Sequence, residues 1–169
     1  EPPNKEMDRA QGAIDAARAA GADRYAANEY TAATDALRNA NEAVAQGDYR
    51  LALSHALASH EHAQNAASEA AAKRAQARGQ VERAMAELRA RLAQADSLVE
   101  LARRSRRPRL AVNESSNAIA AIRKEVEQAN DAIAREEYLA VGPSLDNLQE
   151  RLEKAIALVA PAQAEPRRR

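Results

Sequence analysis

Apolar side chains recur along this chain at alternating spacings of three and four, the mark of helices that each bury one stripe. The first segment, 5–20, carries Met7, Ala10, Ile14 and Ala17, and Gly21 follows as a C-terminal cap. A second, 27–46, carries Tyr30, Thr34, Leu37, Asn41 and Val44 and ends at Gly47. Asp48 is placed to cap a third, whose face runs through Tyr49, Leu53, Ala56, His60, Ala63, Ala67 and Ala70. Val81, Met85, Leu88, Leu92, Ala95, Val99 and Ala102 continue in helical spacing, and only Gly79 stands between the two stripes as a weak point. The two therefore join as one helix over 48–106, on the order of 85–90 Å long at the usual rise per residue. Ala77, Val81 and Met85 take two steps of four in succession, which turns the stripe near Gly79 and predicts a change of helix partners there. Beyond Pro108, Asn113 is read as the cap of a segment with Ile119, Ile122, Val126, Ala129 and Ile133. A final helix starts near Pro143, a first-turn residue, and carries Leu145, Leu148, Leu152, Ile156 and Val159.

The chain also repeats itself. Residues 41–49 align without gaps to 130–138, matching Asn41 with Asn130 and Tyr49 with Tyr138. Residues 25–29 align to 110–114, an offset four residues shorter, close to one helical turn. In the second copy Glu136 and Glu137 replace Gly47 and Asp48, so the break is expected to move to Gly142. The fold expected is all-α, two tandem antiparallel three-helix units sharing a long central helix with coiled-coil-like packing. Their extents are 1–78 and 79–160, the second a divergent internal repeat, with a disordered tail over 161–169.

Composition sharpens this picture. The chain holds 45 alanines against 26 Leu, Ile and Val, so the helices meet through thin seams rather than a wide core. Five Gly, six Pro and few β-branched residues argue against a sheet. Charge balances at 25 basic and 25 acidic residues, which argues against a general polyanion binder, and no aromatic residue is interleaved with the arginines of 103–109, which argues against nucleic acid. The balance is uneven along the chain: −5 over 1–72, +7 over 73–109 and −2 over 110–169. No stretch reaches the roughly 18 apolar residues that span a bilayer, so a soluble chain is expected. A start at Glu1, Pro2 and Pro3 reads as that of a processed protein, and the lack of Cys fits either an oxidising compartment without disulfides or a chain trimmed past a lipid-bearing Cys.

At the residues Ala10 to Ile14, 19–26, Ala32 to Leu37, and Gly47, Asp48 and Tyr49 with Ala52 and Ala56, the sequence resembles a bacterial family of unknown function. That family occurs as an Ala-rich helical domain in envelope lipoproteins, often ahead of a peptidoglycan-binding domain of the outer-membrane-protein-A type. The likeness covers about residues 5–75. It implies a periplasmic location, tethered to the outer membrane through a lipidated Cys that this chain lacks. The second helical unit stands where the wall-binding domain would follow. The Gly47, Asp48, Tyr49 and Ala52 turn is also similar to the corner of tetratricopeptide repeats, although their 34-residue period does not recur.

No nucleophile constellation and no phosphate- or dinucleotide-binding loop can be assembled, so neither catalysis nor a cofactor is expected. The sharpest chemical feature is Arg103, Arg104, Arg106, Arg107 and Arg109, five guanidinium groups suited to phosphate, anionic lipid, envelope polymer or an acidic protein, or to a solvated helix end. Tyr25, Tyr30, Tyr49 and Tyr138 are the aromatic residues, read as corner plugs or as contacts for a partner. His55, His60 and His62 are weak metal candidates, because His55 and His62 share a face while His60 does not, and no metal is expected. Thr34 and Asn41 either fix helix alignment within an apolar seam or belong to a stripe awaiting a partner. The function expected is a non-enzymatic helical spacer or protein-interaction scaffold of the bacterial cell envelope. Its partner would be a protein, self or envelope component, with homo-oligomerisation and peripheral lipid contact as further expectations. The alternative is a ligand-binding module, either a tetratricopeptide-like peptide binder or a metal-sensing periplasmic bundle.

Overall fold

A computed structural model describes residues 1–105 and 107–160, and the expected disordered tail over 161–169 lies outside these. The described residues are all helical or in short connections, with no strand. The order is α1 (Asn4–Ala19), α2 (Ala22–Tyr25), α3 (Ala27–Ala45), α4 (Tyr49–Arg104), α5 (Arg109–Ala134) and α6 (Tyr138–Ala157). The long central helix α4 is continuous through Gly79 and belongs to both compact units, Glu1–Gln76 and the part from Ala77 onward.

In unit 1, α1, α3 and residues 49–76 of α4 meet through a seam of small residues. Ala10, Ile14 and Ala17 come from α1, Ala33, Ala36, Ala40 and Ala43 from α3, and Ala52, Ala56, Ser59, Ala63, Ala66 and Ala70 from α4. The faces expected on α3 and α4 are therefore corrected by one position at most sites. Leu53 is exposed, Thr34 and His60 are half-buried, and Asn41 is exposed, its side chain donating to the Leu37 carbonyl within its own helix. The physical reason is distance. Ala lets backbones approach closely enough for the buried Ser59 hydroxyl to donate to the Ala33 carbonyl at 2.7 Å, and a Leu on that line would hold the helices apart. Gly21 closes α1 in the left-handed region at φ 84°, as expected, and the one-turn helix α2 then fills the connection that the sequence left unassigned.

Unit 2 has the wider core. All seven residues expected on the second stripe of α4 are buried, together with Val112, Ile119, Ile122, Val126 and Ala129 of α5 and Val141, Leu145, Leu148, Leu152 and Ile156 of α6. Helix α5 runs antiparallel to α4. Arg89 donates to Asn130, Arg123 to Asp96 and Arg103 to Ser116, so each step of seven along α4 meets a step of seven back along α5. A buried Ser115 hydroxyl reaches the Ala155 carbonyl of α6 at 2.8 Å, the counterpart in this unit of the Ser59 contact.

Two helix starts differ from expectation. Helix α5 begins at Arg109 with Pro108 before it, and Asn113 is its fifth residue and exposed, not a cap. Burial of Val112 and Ser115 draws that extra turn into the helix. Helix α6 begins at Tyr138, so Pro143 lies inside it rather than in its first turn, and the break does not move to Gly142. Tyr138 and Val141 are buried and hold the early turn against the core. Gly142, lacking a Cβ, removes part of the clash that a residue before Pro would suffer in a helix.

The turn that closes α5 copies the turn that closes α3. Gly47 donates to Val44 and Asp48 to Ala43; 89 residues later Glu136 donates to Ile133 and Glu137 to Ala132. Glu136 thus occupies, at φ 61°, the left-handed position that Gly47 occupies at φ 78°. A side chain there costs about 1 kcal/mol. Glu136→Gly is expected to stabilise unit 2 by about 0.5–1 kcal/mol, and Gly47→Ala to destabilise unit 1 by about 1 kcal/mol. Urea denaturation of the two variants checks both signs; a destabilised Glu136→Gly protein would show that the carboxylate outweighs the backbone strain. Upstream the copies diverge, since Tyr25 is buried while its expected equivalent, Leu110, is 79% exposed.

Candidate functional site

Each expected functional residue now has a place. At the α4–α5 corner Arg103 donates to Glu100 and Ser116, and Arg107 reaches the Ala160 carbonyl after the end of α6 at 2.8 Å. Arg104 and Arg109 are exposed, and no ion pair is seen for either among the described residues. Arg106 lies outside the described residues. The structure thus divides the cluster: two guanidiniums brace the corner and two face water. Exposed leucines, which the sequence reading did not single out, accompany them: Leu101 on α4, Leu110 on α5 and Leu158 just past α6.

Of the tyrosines, Tyr25 and Tyr138 are buried plugs, one beneath the Gly21 turn and the other in the unit 2 core. Tyr30 is partly buried against Ile14, Ala33 and Ala63, and its hydroxyl accepts a 2.8 Å hydrogen bond from Arg18, whose guanidinium also lies 5.9 Å from the ring centre. Tyr49 differs from its repeat partner Tyr138 in being 39% exposed. It heads an apolar stripe on α4 with Leu53 (38%) and Leu57 (56%), four residues apart and beside the alanine seam, with Leu51 exposed nearby. Tyr49 and Leu53, which the sequence placed on the inward face, are left out by the fold, whereas Ala56, Ala63 and Ala70 of the same face are buried.

His55 and His60 are half-buried, and His62 lies 2.8 Å from the Glu29 carboxylate across the α3–α4 pair. Among the described residues no three His, Asp or Glu side chains are grouped to hold a metal ion. No helix among them is long and apolar enough to cross a membrane. A groove of about 460 Å³ opens between α5 and α6, lined in part by Ala129, Ala140, Pro143 and Ser144. Its one carboxylate, Glu125, is already held by Arg151 through two bonds of 2.7 and 2.8 Å.

That pair belongs to a belt which sequence reasoning missed. Arg91 of α4 holds Glu153 of α6, Arg151 of α6 holds Glu125 of α5, and Arg123 of α5 holds Asp96 of α4. Each helix of unit 2 gives one guanidinium to one neighbour and one carboxylate to the other. Hydrogen bonds from Arg151 and from Arg91 hold the Glu125 and Glu153 carboxyls below the usual carboxylate range. A group whose pKa is depressed by folding contributes stability above its unfolded value, and that contribution is lost as pH falls through the folded value. Unit 2 is therefore expected to lose stability on acidification from about pH 5 downward. These pairs are half-exposed, so each is worth about 0.2–1 kcal/mol. Thermal unfolding followed from pH 7 to pH 3 tests this: the Arg151→Gln and Arg91→Gln double variant should show a shallower acid dependence than the unaltered chain.

Residues 5–84 match the family described as a domain of unknown function, DUF4398. The match covers α1, α2, α3 and the part of α4 in unit 1, and ends eight residues past that unit's boundary. No curated protein and no solved structure matches the chain.

Proposed function

We propose that the chain is a non-enzymatic helical scaffold of the bacterial cell envelope that binds another protein through unit 1. The observation that carries this reading is the stripe of Tyr49, Leu53 and Leu57, exposed at four-residue spacing beside a seam made almost wholly of alanine. Helices that recognise a groove, or that accept a second amphipathic helix, present anchors at this spacing. Large apolar side chains clustered on a surface mark contact sites more often than scattered ones do. The envelope location rests on the likeness of residues 5–75 to the lipoprotein domain, and cell fractionation of the native host tests it separately.

The binding role is tested with a photo-crosslinking residue at position 53 or 57 in the full chain, expressed in the native host. A protein adduct is expected at both, and none at Asn65, which is exposed on the same helix away from the stripe. Leu57→Glu should abolish the adduct formed from position 53 while leaving the helical content seen by circular dichroism unchanged. Equal labelling from 53 and 65 would overturn the reading.

A further inference from the structure

We infer that the end of unit 2 formed by the α4–α5 corner and the close of α6 docks on the surface of an anionic phospholipid bilayer. Three observations converge on this end. Arg104 and Arg109 are exposed without an ion pair among the described residues, while Arg103 and Arg107 are tied to Ser116 and to the Ala160 carbonyl and hold the corner in shape. Leu101, Leu110 and Leu158, one from each of the three chain segments that meet here, are exposed within about a turn of the end, and Leu110 is the most exposed large apolar residue described. The segment 100–114 carries five Arg against Glu100 and Glu114, a local excess of positive charge within a chain of zero net charge.

This arrangement suits a bilayer better than a folded acidic protein. A protein partner is usually met by one contiguous apolar centre with charges around its rim. Here the exposed leucines come from three separate chain segments, the arginines lie between Leu101 and Leu110 in sequence, and no Tyr belongs to this stretch. A fluid interface accommodates separated apolar insertions, and its phosphates accept the paired N–H donors of Arg. Each basic residue held near an anionic bilayer strengthens binding about fivefold, and the effect is screened by salt.

The full chain is tested by co-sedimentation with large vesicles of phosphatidylcholine alone or with about one third phosphatidylglycerol. Binding to the anionic vesicles and not to the neutral ones is expected, weakening as NaCl is raised from low to high. Arg104→Gln with Arg109→Gln should lower the partition coefficient about 20-fold or more. Leu110→Gln should lower it severalfold at every salt concentration. Arg83→Gln with Lys124→Gln, which removes the same charge from exposed positions elsewhere in unit 2, should have a much smaller effect. Equal loss from the control pair, equal binding to neutral vesicles, or retention on immobilised polyglutamate without any vesicle binding would each overturn the proposal, the last in favour of an acidic protein.

Discussion

Leu88→Ala is expected to remove about 2–5 kcal/mol from unit 2. Leu88 is fully buried in a cluster that includes Met85, Leu92, Ile122 and Leu152. Its neighbours are held by helices on every side and cannot close around the space that three lost carbons leave, so the transfer and cavity contributions add. Leu139→Ala provides the comparison, because Leu139 is exposed and should change stability by no more than about 0.5 kcal/mol. Native-state hydrogen exchange reads the result by location. In Leu88→Ala the amides of α5 and α6 should exchange far faster, and those of α1 and α3 should report whether the two units share one unfolding transition. A Leu88→Ala protein as stable as Leu139→Ala would contradict the packing described for this core.

Enlarging a residue is the damaging change in unit 1. Ala63→Leu is expected to destabilise it by about 3 kcal/mol, the upper part of the range for overpacking. Ala63 is fully buried against Ile14 and Ala33, and a few positions away Ser59 reaches the Ala33 carbonyl at 2.7 Å. A Leu side chain there must push α4 off α3 and break that contact. Leu57→Ala, on the exposed stripe of the same helix, should be close to neutral for folding. Chemical denaturation of both variants would decide the matter, and a neutral Ala63→Leu would show that the seam has room to spare.

These contrasting sensitivities explain what could be read from the sequence. In unit 2 the buried stripe of α4 was legible at every position, because Val, Met and Leu stand out there against charged neighbours. In unit 1 the same pattern points Leu53 and Tyr49 inward, yet both are exposed and the seam is made by alanine, with Leu37 packed at its edge. Hydrophobicity ranks Leu above Ala, but close approach ranks them the other way, and only the geometry of three helices decides which preference prevails. The break after α5 was misplaced for a related reason. The left-handed position favours Gly, yet Glu136 adopts it because the buried Tyr138 and Val141 hold the chain on its far side. The Arg corner could be found by inspection. Its leucines could not, since nothing in the sequence says that Leu110 is left outside while Val112 is taken in.

The seven-residue steps between α4 and α5 have a further consequence for how this pair finds its register. An apolar stripe that repeats every seven residues discriminates weakly between alignments one repeat apart, so beyond the short connection 105–108 the core itself adds little to the choice. The polar ladder removes that degeneracy. A slip of seven in one direction would set Arg89 against Arg123 and Arg103 against Arg109, and a slip in the other would set Arg103 against Arg123. Only the observed alignment gives Arg89 to Asn130, Asp96 to Arg123 and Arg103 to Ser116 together. The hydrophobic residues bring the helices together, and three modest surface contacts count the repeats for them.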